Sequence, residues 1–190
     1  MVNRIKIFID QGHNPNNPNA GAEGNGLREQ DITYDIGVRL AELLRSNPNF
    51  EVRLSRNSPD EQLGTSNSTS LAARVNAANS WGANYFISLH CNASTITEAS
   101  GSEAYVYSES SPAFALAGDI LAGLTQATGL SNRGVFINQG LYVLRRTAMP
   151  AVLVEMGFIS NAHDAQLMSQ QPQLFAQGMY NGILMYFNLI

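Results

Sequence analysis

The sequence predicts one α/β domain in which a mostly parallel, mixed and twisted β-sheet of about six strands lies between helices. Short apolar runs rich in Ile, Val and aromatic residues are typical of strands that are buried on both faces of a sheet. Segments with helical spacing of apolar residues separate these runs, and such alternation favours parallel strands. The sequence shows no internal repeat and no linker. We therefore expect residues 1–190 to form a single domain.

The first half of the chain is predicted to contain three strands and two helices. The strands cover Ile5–Asp10, Phe50–Ser55 and Tyr85–His90, and the helices cover Gln30–Arg45 and Leu71–Trp81. Residues 12–26 are rich in Gly, Asn and Pro, which favours turns and excludes helix and strand. The polar residues 57–70 predict a second loop that ends in Ser/Thr helix caps.

The second half is predicted to continue the alternation. Strands are expected at Glu103–Tyr107, Val135–Ile137, Leu141–Leu144 and Ala151–Glu155. A helix opens at Pro112 and stops at Gly129, since proline suits the first helical position and glycine the C-terminal cap. Two further helices, Ala162–Ser169 and Pro172–Phe187, close the chain.

The composition excludes several classes of protein. A chain of 190 residues with 44% hydrophobic and 14% charged residues can bury a full-sized core. The net charge of −4 argues against nucleic acid as a partner, because phosphate binding needs an excess of Lys and Arg. No apolar stretch reaches the roughly 18 residues of a membrane span. The single cysteine, Cys91, excludes an internal disulfide.

The start of the sequence bears on where the protein acts. The first predicted strand begins at Ile5, so we expect no secretion signal in these residues. We therefore expect that the protein acts where it is made, leaves the cell by another route, or is a domain of a longer protein.

Two of the three histidines and one glutamate follow or end predicted strands. His13 follows the first strand, His90 ends the third, and Glu155 ends the last. Ligands of open α/β sheets bind at the carboxyl ends of the strands. We therefore expect these three side chains to lie close together at one edge of the sheet.

A catalytic zinc ion has three protein ligands and a fourth position open to water. The two strand-end histidines supply two of them, whereas His163 lies in a polar stretch and is predicted to be a surface residue. Glu29, where the glycine-rich loop enters the first helix, is the leading candidate for the third ligand. Glu23 is the alternative, but its neighbouring glycines would leave its side chain unconstrained. Glu155 would then be available as a general base.

Each of these residues also has a structural interpretation. A single histidine at a strand end is more often a hydrogen-bonded structural residue than a ligand. Glu29 lies in the first turn of a helix, where a carboxylate interacts favourably with the helix dipole. Glu155 is harder to explain in this way, because an unpaired buried carboxylate is costly. Cys91 should face away from His90, since side chains alternate along a strand, and we predict it to be a core residue.

Five short motifs occur in a fixed order along the chain. They are Asp-x-Gly-His in Ile9–His13, Gly-x-x-Glu in Gly26–Glu29, Arg-x-x-x-Ala-Asn in Arg74–Asn79, Ser-Leu-His-x-Asn-Ala in Ser88–Ala93, and Glu-x-Gly-Phe-Ile-Ser-Asn in Glu155–Asn161. In these motifs the chain resembles the zinc-dependent N-acetylmuramoyl-L-alanine amidases of bacterial autolysins, sporulation amidases and phage endolysins. The resemblance covers residues 6 to about 187.

The resemblance implies an enzyme that hydrolyses the amide bond between the lactyl group of N-acetylmuramic acid and L-alanine of the peptidoglycan stem peptide. It implies one Zn²⁺ held by His13, Glu29 and His90, with Glu155 as the catalytic glutamate. It also implies action on the bacterial cell wall, outside the cytoplasm, and we expect a monomer. Two other classes stay open, a module that binds peptidoglycan without cleaving it and a zinc carboxypeptidase that acts on stem peptides.

Three further residues are candidates for contact with the substrate. Asn92 could donate a hydrogen bond to it, although a strand-capping role is about as plausible. Arg145 and Arg146 could bind carboxylates of the stem peptide, or could simply be solvated charges.

The chain departs from the usual family pattern at three points. Gln11 replaces a proline before the first Gly-His, and Asn14 replaces the glycine after it, but neither change removes a metal ligand. Residues 91–100 are too few for the inhibitory helix of some cell-division members, so we expect an open site.

Overall fold

Six strands form one sheet in the computed structural model, which describes residues 4–190. They are β1 (Ile5–Gln11), β4 (Phe50–Leu54), β5 (Tyr85–Asn92), β6 (Ser102–Val106), β7 (Asn132–Ile137) and β8 (Ala151–Phe158). Two short strands, β2 (Glu23–Gly24) and β3 (Leu27–Arg28), pair with each other outside this sheet. The strand order is β4-β1-β5-β8-β6-β7, and all neighbours are parallel except β8 and β6. The expected mostly parallel, mixed sheet is confirmed.

Helices cover both faces of this sheet. They are α1 (Glu29–Ser46), α2 (Asn67–Trp81), α3 (Pro112–Thr128), α4 (Tyr142–Arg146), α5 (Ala162–Gln170) and α6 (Pro172–Tyr186). Within residues 4–190, none of these helices is both long and apolar enough to cross a bilayer.

The core is divided by the sheet into two apolar clusters. The larger one contains side chains of α1, α3 and α6 against Ile9, Ile87 and Val154 of the central strands. The smaller one contains side chains of α2 and α4 against Phe86 and Leu153. Because successive side chains of a strand point to opposite faces, each central strand contributes to both clusters. Both faces of the central strands are thus packed, and their carboxyl ends are left to carry polar side chains.

The predicted strand Leu141–Leu144 is wrong. Residues Tyr142–Arg146 form the short helix α4, in which Val143 and Leu144 are buried against the sheet. A short apolar run cannot be assigned to strand or helix from periodicity alone, because four apolar residues are compatible with either element.

Other differences concern element ends. Part of the loop expected to lack strands, Glu23–Gly24, pairs with Leu27–Arg28. Helix α2 begins four residues earlier than predicted, because Ser66 and Thr69 form a reciprocal capping box at its start. The strands expected to end at His90 and Glu155 continue to Asn92 and Phe158, so both residues lie within strands rather than at their last positions.

Candidate metal centre

Three side chains from different parts of the chain converge at the carboxyl ends of β1 and β5. They are His13 from the loop after β1, Glu29 from the first position of α1, and His90 from β5. One oxygen of Glu29, Oε1, lies 3.2 Å from His13 Nε2 and 3.1 Å from His90 Nδ1. The potential ligand atoms all lie within 4.8 Å of one another, an arrangement that could hold a metal ion. The predicted set of three therefore comes together in space.

Glu29 is held rigidly by backbone groups. The amide of Ala22 donates to Oε2 at 2.8 Å, and the amide of Cys91 donates to Oε1 at 2.9 Å. Burial by itself raises the pKa of Glu29, but hydrogen bonds from His13 and His90 outweigh burial, and the pKa lies well below its ordinary value. The carboxylate is therefore ionised, as a metal ligand must be.

The loop that carries His13 has an unusual backbone. His13 has φ of 69°, in the left-handed region that non-glycine residues rarely adopt. At the preceding residue, Gly12, a Cβ atom would lie 2.5 Å from the Leu89 carbonyl oxygen and 2.6 Å from the His90 ring. Only glycine lets the two histidine-bearing segments approach this closely.

Arg74 on α2 holds the same loop in place through hydrogen bonds. Its guanidinium donates to the carbonyl oxygen of Gln11 at 2.6 Å, to that of His13 at 2.6 Å, and to Asn14 Oδ1 at 3.2 Å. It also pairs with Asp10 at 2.7 Å, and both side chains of this pair are about 1% exposed. Asn14, which departs from the family pattern, thus takes part in holding the loop.

Glu155 stands beside His90 on the neighbouring strand. The two residues are paired in the register of β5 and β8, so their side chains share a face of the sheet. Glu155 Oε2 is buried and has no hydrogen-bond partner among residues 4–190. Burial raises the pKa of Glu155, His90 opposes this shift, Glu29 and Glu103 add to it, and the pKa lies at about 7. A carboxyl group with such a pKa can take up and release a proton near neutral pH.

A second buried carboxylate was missed from the sequence. Glu103 on β6 is paired with Glu155 on β8 and is only 5% exposed. It accepts hydrogen bonds from Asn92 Nδ2, Tyr105 Oη and Arg133 Nε, each at 2.7 Å. The only signal in the sequence was an acidic residue at the start of a predicted strand. This signal does not reveal which side chains contact Glu103.

Of the three candidates for substrate contact, Asn92 lies beside the cluster, and the two arginines lie on α4. The amide group of Asn92 donates to Glu103, so this donor already has a partner. Arg145 and Arg146 are exposed on α4, and Arg145 lines a surface cavity with Pro150 and Ala151, at the amino end of β8. The role of these two arginines in substrate binding remains a prediction from the sequence.

The residues set aside as ligands lie elsewhere. Glu23, the alternative third ligand, is exposed on β2, and His163 is exposed on α5. Cys91 is a free, buried cysteine in the larger apolar cluster, as predicted.

A cavity of about 120 Å³ lies next to the cluster. Its polar wall includes His13, His90 and Arg74, and its apolar wall includes Leu141 and Leu153. A larger cavity of about 620 Å³ lies between β4 and α2 and contains none of the clustered side chains. The smaller cavity is therefore the one that belongs to this site.

An α/β domain that gathers two histidines and a carboxylate at strand ends, with a further carboxylate beside them, has the parts of a metal-dependent hydrolase. The family model for N-acetylmuramoyl-L-alanine amidases matches residues 7–185. The chain belongs to this family of peptidoglycan hydrolases.

Individual relatives agree with this assignment. The amidase CwlM of Bacillus licheniformis is 38% identical over 189 residues, which cover 97% of this chain and 70% of that protein. The sporulation-specific amidase of Bacillus subtilis is also 38% identical, over 97% of this chain and 69% of that protein. Among solved structures, the catalytic domain of the amidase CwlV from Paenibacillus polymyxa superposes with a TM-score of 0.84 at 30% identity, covering 98% of this chain and 99% of that one.

Proposed function

We propose that residues 1–190 form the catalytic domain of a zinc-dependent amidase that cleaves the bond between the muramic acid lactyl group and L-alanine in peptidoglycan. The observation that carries this proposal is the convergence of His13, Glu29 and His90 beside an unpartnered Glu155. One chain supplies all four groups, which supports a monomeric enzyme. Its substrate is the extracytoplasmic cell wall.

The side chains fit a zinc ion. Ligand atoms that lie about 2.1 Å from a common tetrahedral centre are about 3.4 Å from one another. The distances from Glu29 Oε1 to His13 Nε2 and His90 Nδ1, 3.2 and 3.1 Å, are close to this value. Two histidines and one glutamate are also a ligand set of zinc hydrolases, and they leave one position open.

Bound at this cluster, Zn²⁺ supplies a Lewis acid that polarises a carbonyl group and lowers the pKa of a water molecule. Glu155 faces the same space from β8 and accepts a proton from the attacking water. The water oxygen bonds to the lactyl carbonyl carbon, the bond from this carbon to the alanine nitrogen breaks, and Glu155 returns the proton to that nitrogen. No nucleophilic cysteine is needed, which agrees with the burial of Cys91 in the core.

Digestion of purified sacculi tests this proposal. The zinc-loaded protein should release new L-alanine amino termini and no new reducing sugars. Release of single amino acids from the end of the stem peptide would indicate a carboxypeptidase instead. Binding to sacculi without any release would indicate a peptidoglycan-binding module.

A further inference from the structure

Beyond Glu155, the polar row at the carboxyl ends of β5 and β8 continues to the amino ends of β6 and β7, because β6 is antiparallel to β8. His90, Glu155 and Glu103 are paired in register across β5, β8 and β6, so their side chains share one face. On the next row of this face, Tyr105 is half-buried and Phe136 is 43% exposed. The face over β6 and β7 is therefore accessible next to the catalytic cluster.

Arg133 on β7 is turned toward this row by an irregularity in the sheet. Ser102 pairs with Asn132 and Glu103 pairs with Gly134, so Arg133 is one extra residue on β7. Gly134 has φ of 105°, which permits the local distortion. Extra residues of this kind redirect a side chain and are common next to active sites.

The guanidinium of Arg133 is fixed by three contacts. Nε donates to Glu103 Oε2 at 2.7 Å, Nη1 donates to the carbonyl oxygen of Ser100 at 3.3 Å, and the group lies 5.0 Å from the centre of the Phe158 ring. These hydrogen bonds use Nε and Nη1, so that within residues 4–190 the Nη2 group has no partner. The side chain is 40% exposed. An oriented cation thus presents a free donor to solvent beside the site.

Other arginines near the cluster are less suited to bind an anion. Arg74 is buried and its donors are used by the His13 loop. Arg28, which precedes Glu29 in the chain, donates to the carbonyl oxygen of Pro15 and pairs with Asp31 at 3.6 Å. Since Glu103 and Glu155 lie side by side on the face toward β7, an anionic substrate group there needs a cation close by.

We propose that Arg133 binds the free carboxylate of the stem-peptide residue that follows L-alanine, and that Glu103 positions it for this contact. The inference rests on the proposed function. In peptidoglycan this residue is D-glutamate linked through its side-chain carboxyl group, so its α-carboxylate is free unless it is amidated. The stem peptide then runs from the scissile bond across β6 to β7, and the glycan lies on the side of His13.

The distances are compatible with this path. Arg133 and Glu155 are two strand spacings apart, about 10 Å. The carboxylate lies two residues from the scissile nitrogen, up to about 7 Å in an extended chain. The arginine side chain is long enough to span the difference between these two distances.

The experiment compares two muropeptides of equal glycan length, one with the free D-glutamate α-carboxylate and one with the amide in its place. The wild type should hydrolyse the free acid with a kcat/KM about tenfold higher, the scale of a hydrogen bond to a charged group. Arg133→Ala should lose this preference through a higher KM for the free acid, with kcat little changed, because the contact is remote from the reacting bond. The ratio is measured within each variant, so a reduced folded fraction cancels.

Arg39→Ala is the matched control, since Arg39 is 38% exposed and also donates through Nε to a carboxylate, that of Asp35. It should keep the wild-type preference. A preference retained by Arg133→Ala, or lost in Arg28→Ala instead, would overturn the assignment to Arg133 while leaving the proposed function intact. If the wild type releases no L-alanine amino termini from sacculi, the proposed function itself is contradicted, and the proposal for Arg133 is contradicted with it.

Discussion

At the scale of single residues, the two glutamates next to the histidines differ in the groups that their oxygens contact. Glu29 lies between His13 and His90 and accepts two backbone hydrogen bonds, so it is a fixed and ionised group. Glu155 has a buried oxygen without a partner, and its pKa of about 7 allows it to change protonation near neutral pH. We infer that Glu29 is a metal ligand and Glu155 a proton carrier.

Substitution of the two glutamates by alanine should therefore have different effects. Glu155→Ala should retain zinc near full occupancy while activity falls by ~10² or more, the usual scale for loss of a general base. Glu29→Ala should lose both zinc and activity, as should His13→Ala and His90→Ala, because two remaining ligands hold zinc poorly. Metal analysis and amidase assays of the purified variants measure both effects. Zinc retained by Glu29→Ala and lost by Glu155→Ala would mean that the two roles are reversed.

At the scale of elements, glycines set the distance between α3 and α6. A Cβ atom at Gly182 of α6 would lie 2.3 Å from the carbonyl oxygen of Asp119 and 2.5 Å from the Ile120 Cα. Real Cβ atoms do not approach backbone this closely, so the helices pack through direct backbone contact. This close packing holds together two of the helices, α3 and α6, that with α1 cover one face of the sheet.

Gly182→Ala should lower the free energy of unfolding by about 1–3 kcal/mol, the usual cost of overpacking. Gly118→Ala on α3 is the control, because a Cβ atom there meets nothing within 4 Å. That change should instead stabilise the protein by about 0.5–1 kcal/mol through helix propensity. Urea denaturation of both variants measures the difference. Equal effects of the two substitutions would show that α3 and α6 leave room for a Cβ atom at position 182.

At the scale of the whole molecule, the buried Asp10–Arg74 pair connects β1, α2 and the loop that carries His13. Burial raises the pKa of Asp10, but the Arg74 guanidinium and the Ser88 hydroxyl outweigh it, and the pKa is lowered from 3.8. A carboxyl group with a lowered pKa binds fewer protons in the folded state than in the unfolded state. Its contribution to stability is therefore present above pH 3.8 and is lost as the pH falls through the folded-state pKa.

Asp10→Asn should lower the free energy of unfolding by about 3–5 kcal/mol at pH 7, because it leaves a buried arginine unpaired. The difference from the wild type should shrink as the pH falls below 3.8. Denaturation at a series of pH values measures it. Asp35→Asn, in the exposed pair with Arg39, should change stability by less than about 1 kcal/mol. A difference for Asp10→Asn that is constant with pH would contradict the ionic role of the pair.

The fold should survive removal of the metal, because both apolar clusters are complete without it. A chelator should abolish activity while near-UV circular dichroism and cooperative unfolding persist, with a lower Tm because zinc stabilises only the folded state. Added zinc should restore both activity and Tm. Unfolding by the chelator would show that the metal is a structural one, and full activity without metal would contradict the zinc assignment.

The amino-acid sequence by itself determined the α/β class and predicted that His13, Glu29 and His90 lie together, with Glu155 next to them. It could do so because buried strands and metal-ligating side chains leave local patterns, and because parallel strands bring their carboxyl ends together. The same local evidence failed at Leu141–Leu144, where four apolar residues fit a strand as well as the helix that forms.

Only the tertiary structure decided which polar residues flank the cluster. Glu103 lies opposite Glu155 because of the register of β8 and β6, and Arg133 is turned toward Glu103 by an irregularity between β6 and β7. The tertiary structure also placed Arg145 at the amino end of β8, away from Glu155. Register and strand order depend on packing between segments that are distant in the chain, and no local pattern encodes them.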